Sequence, residues 1–479
     1  MLRNKIILRI GFLIGLMSIT SVQLFSQENN YWSLQQGATA ALNGGAVIAN
    51  AKNQTAAYYN PGLLPFVKSN SVSLNASTYF LKNVSIENGA GKNIDLEYVR
   101  FGVVPQNIFG ILDITKNDKW TLSYAILSEI HSEINFATRN EFLIDISDVY
   151  PGSETYLGGY KYYNKLKENW YGLAIGYKLS DEFGIGLSTF VVVNNLDYSE
   201  ARIANVIVED EANNFVRTIV NSSLNEDLTY SSVGLLMKLG LSYKLDKLRL
   251  GLSLTSPLLN LNFVGKAKVT RGVYISTDDN SLSNINQVSF QEKINTTNKK
   301  PFTIDFGATY SFPKTDVSIR AAYYGAIDTY DLIDKNDFDN SSNFDQIEDF
   351  GIPQMAKKSV TNIGVGLIQE LSKKTSLYAG FSTDFNNFDE SKFNRQEDFV
   401  PSIGYWDLYH YSLGLSNHLK HFQLVYGLTY MRGRSQGDLQ IINISDPIID
   451  NLFFGELTKD TKTTVNEINL NIGFIYYFR

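Results

Sequence analysis

Between Asn466 and Phe478, the side chains of Ile468, Leu470, Ile472, Phe474, Tyr476 and Phe478 fall on one face. Glu467, Asn469, Asn471, Gly473, Ile475 and Tyr477 fall on the other. Apolar residues at period two predict an amphipathic strand, because successive strand side chains point to opposite faces. The pattern recurs upstream. Leu248, Leu250, Leu252 and Leu254 alternate with Arg249, Gly251 and Ser253. Ile185, Leu187, Thr189 and Val191 alternate with Gly184, Gly186, Ser188 and Phe190. Phe422, Leu424, Tyr426, Leu428 and Tyr430 alternate with Gln423, Val425, Gly427 and Thr429. No helical pattern of comparable quality intervenes after about residue 70.

The links between strands alternate as well. Tight polar connections fall at Lys116–Lys119, Ser180–Glu182, Leu245–Lys247, Pro313–Thr315, Ser372–Lys374 and Lys420. Longer polar stretches fall at about 87–94, 137–158, 199–226, 256–300, 328–357, 386–403 and 434–462. Six short links and seven long ones join fourteen strands. An even number of strands, with short turns at one end and long loops at the other, is the plan of an outer-membrane barrel. The predicted fold is therefore all-β: a 14-stranded antiparallel transmembrane barrel spanning 69–479. Its final strand pairs with the first, at about 71–86, and so removes the sheet edges. A soluble propeller would show self-similar repeats of about 40–50 residues, and none is visible.

Residues 27–68 break the strand pattern. Small residues dominate at Gly37–Ala41 and Gly44–Ala46, followed by Ala56, Ala57 and then Tyr58, Tyr59, Asn60, Pro61 and Gly62. Asn-Pro-Gly is a strong breaker, since Pro fixes φ and Gly permits a left-handed step. A fourteen-strand lumen is too wide for wall side chains to fill. Residues 27–68 read either as an N-terminal leader lying in the periplasm or, more sharply, as a compact plug folded inside the barrel, which is the expectation carried forward.

Composition agrees with a membrane barrel. The 479 residues include 29 tyrosines, 29 phenylalanines and 4 tryptophans, which suits interfacial girdles. No apolar run of about 18 residues occurs beyond the N-terminus, so a helical membrane protein is not expected. Residues 1–26 read as a secretory signal. Arg3, Lys5 and Arg9 precede an apolar core from Ile10 to Thr20, and Ser26 precedes an abrupt polar change. Without that segment 39 basic residues face 49 acidic ones, a balance that suggests no nucleic-acid partner. The absence of cysteine excludes disulfides, thiol catalysis and thiolate metal sites.

Candidate chemistry is sparse. The histidines are His131, His410, His418 and His421, and the last two flank a tight turn. None has a convincing serine and acid partner, and no Gly-x-Ser-x-Gly, His-Glu-x-x-His or phosphate loop occurs. No enzyme activity, cofactor or metal is expected. Asp337, Asp339, Ser341, Asp345 and Glu348 match a calcium-loop spacing, but Ser342 stands where that loop needs Gly. This acidic loop reads as a solvated outer loop, or one bridged by divalent ions to lipopolysaccharide. The third strand, about Trp120–Phe136, carries Ser128, Glu129, His131, Ser132 and Glu133, unusually polar for a lipid-facing wall. They are read as the point where the strand emerges into its outer loop, with an interruption of the wall as the alternative.

Residues 35–64 resemble the N-terminal signature of the long-chain fatty-acid transporter family of outer-membrane barrels (FadL-like). That signature is a Gly/Ala-rich stretch ending in aromatic-Asn-Pro-Ala, here Tyr58-Tyr59-Asn60-Pro61 with Gly62 in place of Ala. The strand motifs at Tyr171–Lys178, Gly251–Pro257 and Pro301–Tyr310 look similar too. The resemblance implies a fourteen-strand barrel with an N-terminal hatch, and passive uptake of hydrophobic small molecules such as long-chain fatty acids. In the family the ligand leaves sideways, through a gap made by a kinked strand. The alternative it implies is a docking or shuttle component of a protein-secretion system. No family pocket residue carries over by motif. Phe474, Tyr476 and Phe478 resemble the C-terminal signal read by the barrel-assembly machinery, from which Arg479 departs. The expected partners are that machinery, outer-membrane lipid and lipopolysaccharide, and a hydrophobic ligand.

Overall fold

The computed structural model describes residues 29–67, 71–112, 119–146, 152–210, 215–261, 264–277, 284–334, 351–394, 398–402, 406–448 and 453–478. The signal expected at 1–26 and the calcium-like spacing at Asp337–Glu348 lie outside them. Fourteen strands form the wall. They are β1 (Ser71–Glu87), β2 (Leu96–Leu112), β3 (Trp120–Ile144), β4 (Glu154–Lys178), β5 (Phe183–Asp210), β6 (Phe215–Leu245) and β7 (Leu248–Thr255). There follow β8 (Thr303–Ser311), β9 (Thr315–Tyr324), β10 (Val360–Glu370), β11 (Thr375–Asp384), β12 (Leu408–His418), β13 (Phe422–Gln436) and β14 (Lys462–Tyr477). Consecutive strands pair antiparallel, and β14 pairs with β1 from Tyr477 opposite Ser71 to Lys462 opposite Glu87. The final strand thus closes the barrel, and every backbone donor of the closing seam has a partner strand on each side.

The alternation places the apolar set outside. Ile468, Leu428 and Phe306 are 48%, 54% and 44% exposed, a position that only lipid makes favourable. The inward-facing Glu467, Asn471 and Ser188 are buried. A closed barrel with this apolar belt is a barrel of the outer membrane, with its short turns on the periplasmic side.

Strand length divides the wall in two. Strands β7 to β12 have 8 to 11 residues, about what a tilted strand needs to span a bilayer. Strands β3 to β6 have 25 to 31 and continue far past the membrane. The stretches 137–158 and 199–226, expected as loops, are therefore largely strand. The physical reason lies in an inversion of pattern. In the lower part of β4, Tyr171, Leu173 and Ile175 face outward and Ala174 and Gly176 face inward. Higher up, Lys161 and Lys167 occupy the outward register, while Tyr156, Tyr160 and Tyr162 are buried inside. Water replaces lipid outside, so the apolar contrast changes face while the hydrogen-bond ladder continues. The region 256–300 likewise holds a hairpin, Lys266–Thr277 with Ile285–Asn295, whose first strand extends the sheet beside β6. A second short hairpin, Ile327–Asp331 with Gln354–Lys357, lies in the stretch 328–357.

The inverted faces meet loops folded over them. Tyr156, Tyr160, Tyr198, Val206 and Tyr230 share one hydrophobic cluster with Tyr330, Ile352, Phe399, Trp406 and Ile444. This cluster caps the outer end of the barrel. Residues 29–67 pack below it, against inward-facing wall residues around the ring. They contain short helices at Ala38–Leu42 and Ala56–Tyr59 and a 3-10 helix at Pro61–Phe66.

Candidate functional site

The N-terminal segment sits directly on the wall because the wall has no side chains where it touches. A Cβ added to Gly251 would stand 2.1 Å from the carbonyl oxygen of Ile48. At Gly380 it would stand 2.1 Å from the amide nitrogen of Gly44, and at Gly186 it would stand 2.3 Å from the carbonyl oxygen of Pro61. Gly176 pairs with Gly186, Gly186 with Gly240, Gly251 with Gly307, Gly366 with Gly380 and Gly414 with Gly427. These glycines form a belt around much of the lumen. Gly44 and Gly45, which ride on it, take φ of 59° and 69°, the left-handed region that glycine tolerates.

Asn60 fastens the segment at the belt. Its Nδ2 donates to the carbonyls of Ile48, at 2.8 Å, and Leu241, at 2.9 Å, and its Oδ1 accepts from the Gly62 amide. Ser242 donates to the Gly62 carbonyl at 2.7 Å. A Cβ on Gly62 would meet the Gly240 carbonyl oxygen at 2.8 Å, so no side chain fits there. The Tyr59 hydroxyl accepts from the Gln36 amide at 2.8 Å and donates to Gln35 Oε1 at 3.1 Å. Tyr58 points to the wall, where its hydroxyl donates to Glu129 Oε1 at 2.6 Å and Lys238 stands 4.1 Å from its ring centre. Burial, then the neighbouring Glu129, hold the Tyr58 phenol well above its ordinary pKa, so it remains a proton donor.

Glu129 marks a break in the wall. Opposite β4, Ser128 pairs with Asn169 and Ile130 with Glu168, which leaves Glu129 in a bulge. On the other side, the pairing of β2 with β3 ends at Asn107 opposite Leu127. Beyond that level β2 follows β1 and β3 follows β4, with no further β2–β3 pair among the described residues. The polar cluster of β3 therefore marks an interruption, not the end of the strand, which continues to Ile144. Period two alone hides this, because a bulge shifts register without adding a turn residue. Farther out, Arg100 of β2 bridges to Glu133 of β3 at 2.7 Å. The seam is thus bounded below by strand pairing and above by an ion pair. The N-terminal segment reaches it through amides. Gln36 Nε2 donates to the Ser128 carbonyl at 2.7 Å, Asn107 Nδ2 donates to Gln36 Oε1 at 3.1 Å, and Asn75 Nδ2 donates to Asn107 Oδ1 at 2.7 Å.

Two cavities flank the segment. Above it, a cavity of about 60 Å³ is lined by Tyr31, Ile130, Glu168, Lys300, Lys357 and others. Lys300 bridges to Glu168 at 2.6 Å, and Glu168 also accepts from Trp170 Nε1 at 2.7 Å. Below it, a vestibule of about 980 Å³ opens among the short turns, lined by Lys52, Arg249, Asp316 and His418 among others. Inward-facing charges anchor the segment between them. Arg320 pairs with Asp305, donates to the Gly45 carbonyl at 3.3 Å and lies 4.1 Å from the Trp32 ring.

Tyr58, Tyr59, Asn60, Pro61 and Gly62 thus converge on one zone of contact with β3, β5 and β6. The sequence reading missed Gln36, Asn75, Asn107, Lys238, Lys300 and Arg320. A charge at an inward position of a strand with a greasy outer face was the available signal for Lys238 and Arg320. The histidines do not assemble. His410 Nε2 lies 3.7 Å from Asp384, and no group of three potential metal ligands occurs among the described residues.

No known family model matches the chain, and no curated protein matches it in sequence. Solved structures do match. A FadL homologue from Pseudomonas aeruginosa is 12% identical, with a TM-score of 0.55 over 96% of this chain and 100% of that one. The P. putida toluene transporter TodX is 13% identical, with a TM-score of 0.55 over 93% and 100%. The Ralstonia pickettii toluene transporter TbuX is 12% identical, with a TM-score of 0.53 over 94% and 100%. The chain shares the barrel fold of these channels.

Proposed function

We propose that this barrel is a passive channel for hydrophobic small molecules, long-chain fatty acids among them, and that residues 27–68 are its hatch. One observation carries the reading: the hatch side chains Gln36 and Tyr58 bond to the wall at the bulge of Ser128 and Glu129, where the seam between β2 and β3 begins. A hatch that shifts releases the seam, so ligand entry and wall opening become one event. Phe101, Val99 and Val103 line the lipid side of β2 near the seam, which favours an apolar passenger leaving sideways. The likeness to toluene transporters and to a FadL homologue supports the class of passenger. The likeness to transport channels also supports the absence of enzymatic activity.

The test is uptake of a fluorescent fatty acid by cells that carry the intact chain or one lacking 29–67. Uptake that changes with the deletion supports the channel. A purified barrel that binds no apolar ligand and passes small ions freely overturns it. Unchanged uptake together with a defect in protein export would favour the docking role instead.

A further inference from the structure

The upper cavity has an uneven polar balance. Glu168 accepts from Lys300 at 2.6 Å, from Trp170 and from Asn194 Nδ2 at 3.2 Å, so its charge is met. Lys357, on the same cavity, has the Lys299 carbonyl at 3.4 Å and the Tyr31 ring at 5.9 Å, but no carboxylate within ion-pair distance among the described residues. The cavity therefore holds one cation in excess. Three buried amides line it with an atom unmet: Nδ2 of Asn298, Oδ1 of Asn387 and Oδ1 of Asn194. The orientation of Asn194 is set, because its Nδ2 donates to Glu168. Its free atom is an acceptor. The Tyr31 hydroxyl on the same lining is unmet as well. Buried polar atoms are ordinarily satisfied, so four in one cavity call for an occupant.

The occupant must bring complementary groups. A bare hydrocarbon would leave the cation and all three amides unmet. A simple carboxylate would answer Lys357, the Asn298 donor and the Tyr31 hydroxyl, but not the two acceptors. Those need an N–H or O–H. A cavity of 60 Å³ admits roughly four to six atoms the size of a water. Ile130, Leu196 and Met355 on the same lining offer apolar contact to a chain.

We infer that this cavity binds the head group of an acyl amphiphile that carries an anion beside a hydrogen-bond donor. An N-acyl amino acid and a hydroxy fatty acid share that chemistry. The inference rests on the channel reading above and narrows its passenger.

The test uses the purified full-length protein in lipid nanodiscs, loaded with a fluorescent fatty acid. Displacement is measured with N-myristoylglycine, 3-hydroxymyristate, myristate and tetradecane. N-myristoylglycine or 3-hydroxymyristate is expected to displace the probe at a concentration at least about tenfold below myristate, because a site built for a donor rejects analogues that lack it. The tighter of the two identifies the donor as amide or hydroxyl. Asn387→Leu and Asn194→Leu should each shrink that margin to less than about threefold. Equal displacement by myristate overturns the inference while leaving the channel intact, since water then serves the acceptors. Failure of the probe itself to bind overturns the channel reading as well.

Discussion

The phenol of Tyr58 donates a 2.6 Å hydrogen bond to the carboxylate of Glu129, joining the N-terminal segment to the bulge beside which β3 parts from β2. A hydrogen bond to a charged partner contributes about 1.5–3 kcal/mol. Its loss shifts a closed-to-open equilibrium by roughly 10- to 150-fold. Tyr58→Phe removes the bond and keeps the ring against Trp170 and Phe190. The variant should take up a fluorescent fatty acid faster at sub-saturating concentration. Unchanged uptake would mean that this bond does not limit opening.

The glycine belt makes a second, separable prediction. Gly251→Val or Gly380→Val places a side chain where the backbone of the N-terminal segment already lies, with clashes starting near 2.1 Å. Overpacking of this kind costs about 1–3 kcal/mol or more, and the wall is held by its ladder, so the N-terminal segment must yield. Conductance of the purified barrel in a planar bilayer should rise. Gly272→Val, where the nearest side-chain atom would be 3.8 Å away, should leave conductance at its starting value.

How much of this the sequence reveals depends on which face meets lipid. The outward set Leu248, Leu250, Leu252 and Leu254 had to be greasy, so the fourteen wall strands and their closure can be read directly. The outer halves of β3 to β6 cannot, because above the membrane Tyr156, Tyr160 and Tyr162 turn the apolar face inward and the outer register becomes polar. The Tyr58–Gly62 motif stands out as a breaker, yet its partners do not. Gly186 and Gly251 look like ordinary alternates until a distant backbone lands on them. Lys300 reads as a loop residue, and only folding sets it on Glu168.

The closing strand offers a test of assembly. Removing Gly473–Arg479 deletes the pairs from Ser71–Tyr477 to Asn75–Gly473 on one side, and those from Phe422–Tyr476 to Val425–Gly473 on the other. Two strand edges would then face lipid with unmet backbone groups, each costing several kcal/mol. The truncated chain should fail to reach the outer membrane. It should also lose the heat-dependent gel shift of a closed barrel. A truncated chain recovered in the membrane with that shift intact would show that the closure tolerates a shorter β14.

Lys357 sets a pH dependence whose sign follows from its surroundings. Burial, and after it the neighbouring Lys300, push its ammonium down to about 8, while Glu168 acts in the opposite direction. The folded chain thus favours the neutral amine. Between about 8 and the ordinary 10.5 the unfolded chain binds more protons, so this group makes stability rise with pH across that window. Ligand binding runs the other way. An anionic head group binds the charged form, so its affinity should be fullest below about 8 and fall as the pH rises through it. Bound anion in turn draws the lysine pKa upward, so binding near pH 8 should take up protons. Displacement assays with N-myristoylglycine at pH 6.5 to 9.5 measure the first effect, and calorimetry in buffers of different ionisation enthalpy measures the second. A Lys357→Met variant should bind more weakly below pH 8 and lose the pH-dependent part of the binding. An affinity that is flat in the intact chain across this range would place the anion elsewhere.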